Sequence, residues 1–270
     1  MSQTRQAMAP SGGLPIATVR TITLRIARFD PEHGDKRPHF EEYRLDNVQP
    51  TDRVLDLLGR VKGDQSGSLA YRRSCAHGIC GSDAMQINGR NRLACKTLAK
   101  DLPDTITVEA LKGLPLKKDL IVDMDPFFAS YESVMPYQVT KFEPVGGERL
   151  QSPHDHAQID VQSKCILCAA CTTSCPSFWA NESFVGPAAV VQASRFLFDS
   201  RDEATVERLE VLNQYTGVWR CRTIFNCVEA CPQGIDITKH IGNVKKAILY
   251  GTTDFDHGPA EEHPPEDVSN

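Results

Sequence analysis

The sequence has few aromatic residues, no long apolar run and no block of basic residues. Aromatic side chains make up 7% of the 270 residues, and the formal net charge is -5. Even the apolar stretch PFFASYESVMPY at 126–137 is too short and mixed to cross a bilayer, so any membrane attachment would have to come through another subunit. Because no basic surface is available to neutralise phosphates, we do not expect nucleic acid as a partner.

The ten cysteines are too sparse for a small secreted scaffold held by disulfides. The N-terminal sequence MSQTRQAMAPSGG also has no apolar core followed by a cleavage site. We therefore expect a reducing compartment, in which clustered thiols are more often metal ligands than disulfides.

The length is sufficient for two domains, each with its own core. Small and polar residues predict a flexible arm at 1–16, and an acidic tail without periodicity is expected at 256–270. Between them we predict a first domain at 17–115, a connecting segment at 116–150 and a helical domain at 151–255.

The first domain has the pattern of a sheet crossed by one helix. Ile22, Leu24 and Ile26 alternate with polar residues, which predicts a half-buried strand, and Asn88-Gly89 predicts a tight hairpin turn. We also predict a partner strand through Tyr43 and Leu45, a helix through Val54, Leu55, Leu58 and Val61 capped by Thr51 or Asp52, and a last strand TITVEAL.

Helical patterns begin in the connecting segment and recur in the helical domain. Asp125-Pro126 precedes a stretch that can be helical, and apolar residues three and four apart predict helices over 188–198 and 202–212. Asp202 is the expected cap of the last of these helices.

The first group of cysteines lies in the pattern C-x4-C-x2-D-x11-C, formed by Cys75, Cys80, Asp83 and Cys95. A plant-type ferredoxin loop has cysteine at the third of these positions. Two irons bridged by two sulfides need four protein ligands, so the pattern predicts a [2Fe-2S] cluster. Gly78 and Gly81 allow the loop to turn sharply and to present backbone N–H groups towards the sulfurs.

Asp83 has two interpretations. Its carboxylate can complete the coordination of one iron as a harder oxygen ligand. Alternatively, it can cap the loop by accepting backbone N–H bonds while another group binds the iron. We predict direct ligation, because no other cysteine lies nearby in the sequence. Zinc is the alternative metal for this loop, but zinc sites favour closely spaced cysteine pairs.

Two further cysteine runs follow a bacterial ferredoxin template, C-x2-C-x2-C-x3-C-P. The first run is complete, with Cys165, Cys168, Cys171 and Cys175-Pro176. The second run has isoleucine in place of the second cysteine, giving Cys221, Ile224, Cys227 and Cys231-Pro232.

In two-cluster ferredoxins the fourth cysteine of each run binds the other cluster. This exchange gives a complete [4Fe-4S] ligand set, consisting of Cys165, Cys168, Cys171 and Cys231. The other set has three members, Cys175, Cys221 and Cys227. With a hydrocarbon at Ile224, the natural product is a [3Fe-4S] cluster. A [4Fe-4S] cluster with one exchangeable, substrate-binding iron is the alternative, which the bulk of isoleucine disfavours.

Three segments resemble the iron-sulfur subunit of succinate dehydrogenase and its relative, fumarate reductase. They are SCAHGICGSDAMQINGRNRLAC, CILCAACTTSCPSFW and CRTIFNCVEACPQG, in the family's order and with its gaps, over nearly the whole chain. The resemblance implies an α+β protein with an N-terminal β-grasp plant-type ferredoxin domain and an all-α bacterial-ferredoxin-like domain. Asp83 is similar to a variant known in succinate dehydrogenases of some bacteria.

The resemblance also implies a function in electron transfer, with no catalytic residue on this chain. Electrons would pass from FAD on a partner flavoprotein, which has the dicarboxylate site, through [2Fe-2S], [4Fe-4S] and [3Fe-4S] to a membrane quinone. One or two membrane-anchor subunits would attach the chain to the cytoplasmic face of a bacterial inner membrane, or to the matrix side in a mitochondrion. Fumarate reductase is the alternative within this class, and a structural metal-binding module is the alternative outside it.

A quinone pocket formed with the anchor is implied beside Cys175, at Pro176, Ser177, Trp179, Arg222 and Ile224. From the residues alone, Ser177 could cap a helix and Trp179 could belong to the core. Ala180 and Arg222 depart from a tryptophan and a histidine common in the family, so menaquinone remains a hypothesis beside ubiquinone. Lys245 either lies near this pocket or faces solvent.

Overall fold

A computed structural model gives the structure of residues 19–251 and 253, apart from 142, 145 and 252. The predicted arm at 1–16 and tail at 256–270 lie outside the described residues. Within the described part, no helix is both long enough and apolar enough to cross a membrane.

The N-terminal part contains a five-stranded sheet with the strand order β2-β1-β5-β3-β4. Neighbouring strands pair antiparallel except β1 and β5, which run parallel. The strands are β1 (Arg20–Arg28), β2 (His39–Val48), β3 (Ala84–Ile87), β4 (Arg90–Leu93) and β5 (Thr105–Glu109). The predicted alternation in β1 is confirmed, because Ile22, Leu24 and Ile26 are all fully buried. Asn88 and Gly89 both have positive φ, as the hairpin prediction requires.

One helix, α1 (Val54–Arg60), places its apolar residues in the core of this sheet. The predicted cap is wrong, because the residue that precedes the helix is Arg53 rather than Thr51 or Asp52. Asp56 reaches back to the backbone N–H of Arg53 at 3.0 Å, whereas the Asp52 carboxylate accepts from the N–H of Gln49. Asp52 therefore stabilises the turn before the helix.

The connecting segment is structured and contacts both parts of the protein. It contains β6 (Leu116–Lys118) and β7 (Ile121–Val122), which pair antiparallel, and then α2 (Asp125–Glu132), which confirms the predicted helical stretch. The buried Asp119 carboxylate accepts from the Arg28 guanidinium at 3.0 Å and from the backbone N–H of Ala70 at 2.7 Å. These bonds hold the hairpin on the first sheet.

The described residues from 150 onward form helices and no strand. At the centre is α7 (Gly186–Leu197), in which every residue except Arg195 is buried. The other helices are α3 (Pro153–Ala157), α4 (Asp160–Ser163), α5 (Ala170–Thr173), α6 (Pro176–Ala180), α8 (Thr205–Leu212), α9 (Asn226–Glu229) and α10 (Ile237–Tyr250).

Asp202 has a different role from the predicted helix cap. Helix α8 begins three residues later than predicted, and Asp202 instead forms a fully buried ion pair with Arg208. The same guanidinium donates to the carbonyl of Tyr137 at 2.7 Å and to that of Met135. Arg208 therefore attaches the end of the connecting segment to the helical part.

The sheet and the helical part are in direct contact. The buried side chain of Asn91, on β4, donates to the carbonyl of Ala170 at 3.1 Å and to the hydroxyl of Thr173 at 2.8 Å. Apolar residues of the connecting segment, including Val122, Phe127 and Val134, belong to the helical core. Both contacts lie close to the cysteine-bearing loops.

We predict that Arg208→Met lowers the free energy of unfolding by about 3–5 kcal/mol, because it leaves the Asp202 carboxylate buried without its cation. The control is Arg44→Met, whose ion pair with Asp46 is exposed and screened by solvent, so that its loss should cost far less. Unfolding in urea, followed by circular dichroism, compares the two variants. Equal stability of Arg208→Met and Arg44→Met would contradict the structural role of the buried pair.

Candidate metal centres

The first cysteine loop is arranged around sulfur atoms that accept backbone hydrogen bonds. The Sγ of Cys75 lies 3.3–3.5 Å from the N–H groups of His77, Ile79 and Cys80. Led by the N–H of His77, these donors lower the pKa of the Cys75 thiol to about 6. Amides that point at one sulfur favour its thiolate form, which is the form that binds metal.

Positive φ angles give this loop its shape. Gly78 and Gly81 have φ of 89° and 67°, so the sharp turns predicted at both glycines are confirmed. Ala76 also has a positive φ, of 59°. Successive turns of this kind point several N–H groups to one side of the backbone.

Asp83 and Cys95 form the buried side of the same site. The Oδ2 of Asp83 accepts from the backbone N–H of Cys95 at 2.6 Å, as a loop cap would. Its Oδ1 is buried and has no hydrogen-bond partner in the described part of the chain. Burial, and then the adjacent Asp83 carboxylate, raises the pKa of the Cys95 thiol to about 12. A buried carboxylate beside a buried thiol fits a metal ion, which supplies the missing positive charge.

A second cavity lies in the helical part, with about 380 Å³ of space including its open mouth. Its walls include all four predicted [4Fe-4S] ligands, namely Cys165, Cys168, Cys171 and Cys231. Burial raises the pKa of Cys168 to about 12 and that of Cys171 well above the usual value. Side chains of Ala188, Val191, Ile235 and Ile237 line the rest, so the cavity is mostly apolar.

A third cavity of about 330 Å³ contains the three remaining cysteines, Cys175, Cys221 and Cys227. Burial raises the pKa of Cys227 to about 11. The structure therefore brings Cys231 to the first run and Cys175 to the second run, which is the exchange expected from the template. Ile224 lines this cavity and is 48% exposed.

The two cysteine runs have matching backbones. Leu167 and Thr223, each two residues after the first cysteine of its run, both have positive φ. Ala169 and Phe225, two residues further on, also have positive φ, and a short helix, α5 or α9, follows each. The backbone thus supports the alignment in which Ile224 occupies the position equivalent to Cys168. No sequence signal predicts a left-handed Phe225, because bulky residues rarely adopt this conformation.

The five residues of the implied quinone pocket do not share one cavity. Pro176, Ser177, Arg222 and Ile224 line the third cavity. Trp179 lines a different, polar cavity beside β4, and its indole donates to the carbonyl of Thr173 at 2.8 Å. At 48% exposure Trp179 is not a core residue.

Two other local interpretations are corrected by the structure. Ser177 lies inside α6, whose cap is Cys175, so it does not cap that helix. Lys245 is not a solvent-facing lysine, because its Nζ donates to the carbonyl of Cys221 at 3.1 Å and lies 5.9 Å from the ring centre of Trp219. It stabilises the loop that begins the second run.

Sequence reasoning missed Gln233 and Asn91, which join the two parts at the cysteine loops. The amide of Gln233 donates to the carbonyl of Gly78 at 3.1 Å. Gln233 directly follows Cys231-Pro232, and this closeness to a predicted ligand was the sequence signal that could have identified it. Asn91 had none, since its partners lie 79 and 82 residues away along the chain.

The loop and the two cavities define an iron-sulfur protein with an N-terminal sheet part and a helical part. Two family models match in these regions. One describes a 2Fe-2S iron-sulfur cluster binding domain and covers residues 23–129. The other describes a 4Fe-4S dicluster domain and covers residues 157–232.

Relatives identify the family within this class. The chain is 43% identical to a succinate dehydrogenase iron-sulfur subunit of Coxiella burnetii, over 86% of this chain and 98% of the relative. It is 44% identical to the mitochondrial succinate dehydrogenase [ubiquinone] iron-sulfur subunit 1 of Oryza sativa, over 86% and 84%. The chain belongs to the family of succinate dehydrogenase iron-sulfur subunits.

A solved structure agrees with this assignment. A chain of the Mycobacterium smegmatis Sdh1 complex in the apo form superposes with a TM-score of 0.79 at 26% identity. The match covers 88% of this chain and 99% of that chain.

Proposed function

We propose that this chain conducts electrons in a succinate:quinone oxidoreductase, from FAD on a partner subunit through [2Fe-2S], [4Fe-4S] and [3Fe-4S] clusters to a membrane quinone. The observation that carries the proposal is the arrangement of the ten cysteines into a loop and two cavities, each with one predicted ligand set. The clusters supply the redox chemistry, and the chain holds them and tunes their potentials.

Contacts between the sites support the proposed order of the clusters. A carbon atom added at Gly81, next to Cys80, would lie 2.7 Å from the Cβ of Cys168. Helices α5 and α9, which contain Cys171 of the second cavity and Cys227 of the third, are in contact, and the amide of Asn226 donates to the carbonyl of Ser174 at 3.3 Å. These contacts support a series that runs from the first loop through the second cavity to the third.

The buried Oδ1 of Asp83 is our candidate for the fourth ligand of the [2Fe-2S] cluster, beside Cys75, Cys80 and Cys95. The other oxygen already accepts from the backbone, so one carboxylate serves as both ligand and loop cap. The loop cap seen at Oδ2 therefore leaves Oδ1 available for direct ligation.

We propose a β-grasp plant-type ferredoxin fold for the first domain and a bacterial-ferredoxin-like fold for the second. The parallel β1–β5 pair flanked by antiparallel strands supports the first fold, and the matching backbones of the two runs support the second. The boundaries remain as proposed, near residues 115 and 150.

The third cavity is the proposed exit for electrons. Ile224 and Phe225 line it with apolar side chains that are 48% and 52% exposed, and Trp219, 37% exposed, lies near it beside Lys245. Large exposed apolar side chains in one place mark an interaction site. A membrane-anchor subunit fits this surface, with quinone bound near Pro176, Ser177 and Arg222. The chain would then lie at the membrane surface, on the cytoplasmic or matrix side.

Trp179 stays a candidate for the quinone site only if the anchor closes the space between its polar cavity and the third cavity. The flavoprotein would contact the opposite end, near the first loop, where Ile79 is 61% exposed.

A purification through this chain tests the function. We expect a flavoprotein and small membrane proteins to copurify and the complex to reduce quinone with succinate. Electron paramagnetic resonance (EPR) should show a [3Fe-4S] signal before reduction and a [2Fe-2S] signal after dithionite. A structural zinc module would be silent in both states, and faster fumarate reduction than succinate oxidation would favour a fumarate reductase.

We predict that Asp83→Ala changes the EPR spectrum of the reduced [2Fe-2S] cluster and leaves the [3Fe-4S] signal unchanged, because only the first cluster loses a ligand. Asp83→Cys should again supply four protein ligands, and its [2Fe-2S] cluster should have a spectrum and a potential different from those of wild type. The control is Asp104→Ala, an exposed aspartate on the same domain. A reduced spectrum identical to wild type in Asp83→Ala would remove Asp83 from the ligand set.

We predict that Ile224→Cys converts the [3Fe-4S] cluster into [4Fe-4S], because it places a thiol where the first run has Cys168. The EPR signal of the oxidised protein should disappear while the iron content rises by one atom per chain. Ile224→Val is the control and should keep the signal. Retention of the oxidised signal in a fully loaded Ile224→Cys protein would contradict the vacancy at this position.

A further inference from the structure

The first cysteine loop and the second cavity meet at Gly81. This glycine is buried and has φ of 67°. A Cβ added there would lie 2.7 Å from the Cβ of Cys168, 3.1 Å from its Cα and 3.1 Å from the carbonyl oxygen of Ile166. Carbon atoms pack at about 3.5–4.0 Å, so no side chain fits at this contact.

Two further contacts hold the same surfaces together. Gln233, two residues after the predicted ligand Cys231, donates to the carbonyl of Gly78 in the first loop at 3.1 Å. Ile166 and Cys168 also pack against the core of the sheet. The first loop therefore packs against the Cys165–Cys168 turn and is hydrogen-bonded to the segment that follows Cys231.

We propose that Gly81 is a positioning residue that sets the separation between the first two redox sites, so that electrons cross at the Gly81–Cys168 contact. This proposal rests on the proposed function. Cys80, a predicted ligand of the first cluster, is bonded directly to Gly81, and Cys168 is a predicted ligand of the second. One peptide unit and one van der Waals contact therefore separate the two ligands.

The step at this contact moves one electron and breaks no bond. The reduced [2Fe-2S] site loses one electron and the oxidised [4Fe-4S] site gains it, while FAD on the partner supplies the next. Because tunnelling falls steeply with distance, the rate depends on how closely the two backbones approach. Glycine at position 81 permits an approach that any other residue would prevent.

The test is Gly81→Ala in the intact complex, compared with Gly89→Ala. Gly89 lies on the β3–β4 hairpin with φ of 78° and has no atom within 4 Å of an added Cβ. Both changes strain the backbone in the same way, but only the first must push Cys168 away. Flash reduction of the first cluster measures the rate at which the electron reaches the second. The microwave power that half-saturates the [2Fe-2S] EPR signal, in the dithionite-reduced complex, reports the proximity of the second.

We expect Gly81→Ala to slow the transfer severalfold and to lower the half-saturation power. The midpoint potentials of the [2Fe-2S] and [4Fe-4S] clusters should equal those measured in Gly89→Ala. A rate and a half-saturation power equal to those of Gly89→Ala would overturn the proposal. Absence of iron-sulfur EPR signals in the wild-type complex would instead contradict the proposed function.

Gln233→Leu covers the case in which Gly81→Ala fails to assemble. It removes the hydrogen bond to Gly78 without adding bulk at the contact. The proposal then requires a slower transfer and a lower half-saturation power than wild type. Wild-type values of both in Gln233→Leu would overturn it.

Discussion

A thiolate inside a dry cavity needs positive charge or hydrogen-bond donors beside it, and the rest of this structure depends on that need. The protein stabilises its thiolates in two ways. At Cys75 three backbone N–H groups converge on the sulfur and lower its pKa to about 6. At Cys168 and Cys171 burial raises the pKa of both thiols, so a metal must supply the charge that holds them as anions. The first loop can therefore lie near solvent, whereas the second site is enclosed by helices.

The enclosure is shared between the two parts of the chain. Asn91 bonds to the helix that follows Cys168, and Gln233 bonds to the loop that contains Gly78. Phe127 and Val134 of the connecting segment complete the helical core. A displacement of one part would thus change the surroundings of the cysteines in the other. This mutual dependence explains why residues with no ligand role lie at the contact between the sites.

The grouping of the seven C-terminal cysteines into two cavities was predictable from the sequence, because it follows from short spacings and one rule for exchanging the fourth cysteine. The strands and the hairpin turn were predictable for the same reason, since alternation and Asn88-Gly89 are local signals. The caps were not, because Asp52 and Asp202 have partners that compete with the helix end, and the partner of Asp202 is a buried arginine. Trp179 was also unpredictable, because it packs against Gly113, where an added Cβ would lie 2.9 Å from the indole.

The two positions without cysteine are where the proposed clusters differ from the ferredoxin templates. At Ile224 the backbone repeats that of the complete run, with left-handed residues on both sides of the site, so the difference between the cavities lies in the side chain. At Asp83 a carboxylate stands where the template has a thiol, and its Oδ2 accepts from the N–H of Cys95, a proposed ligand. A cysteine at this position has no second acceptor to offer that amide. The aspartate therefore changes the proposed iron ligand and also stabilises the loop that presents it.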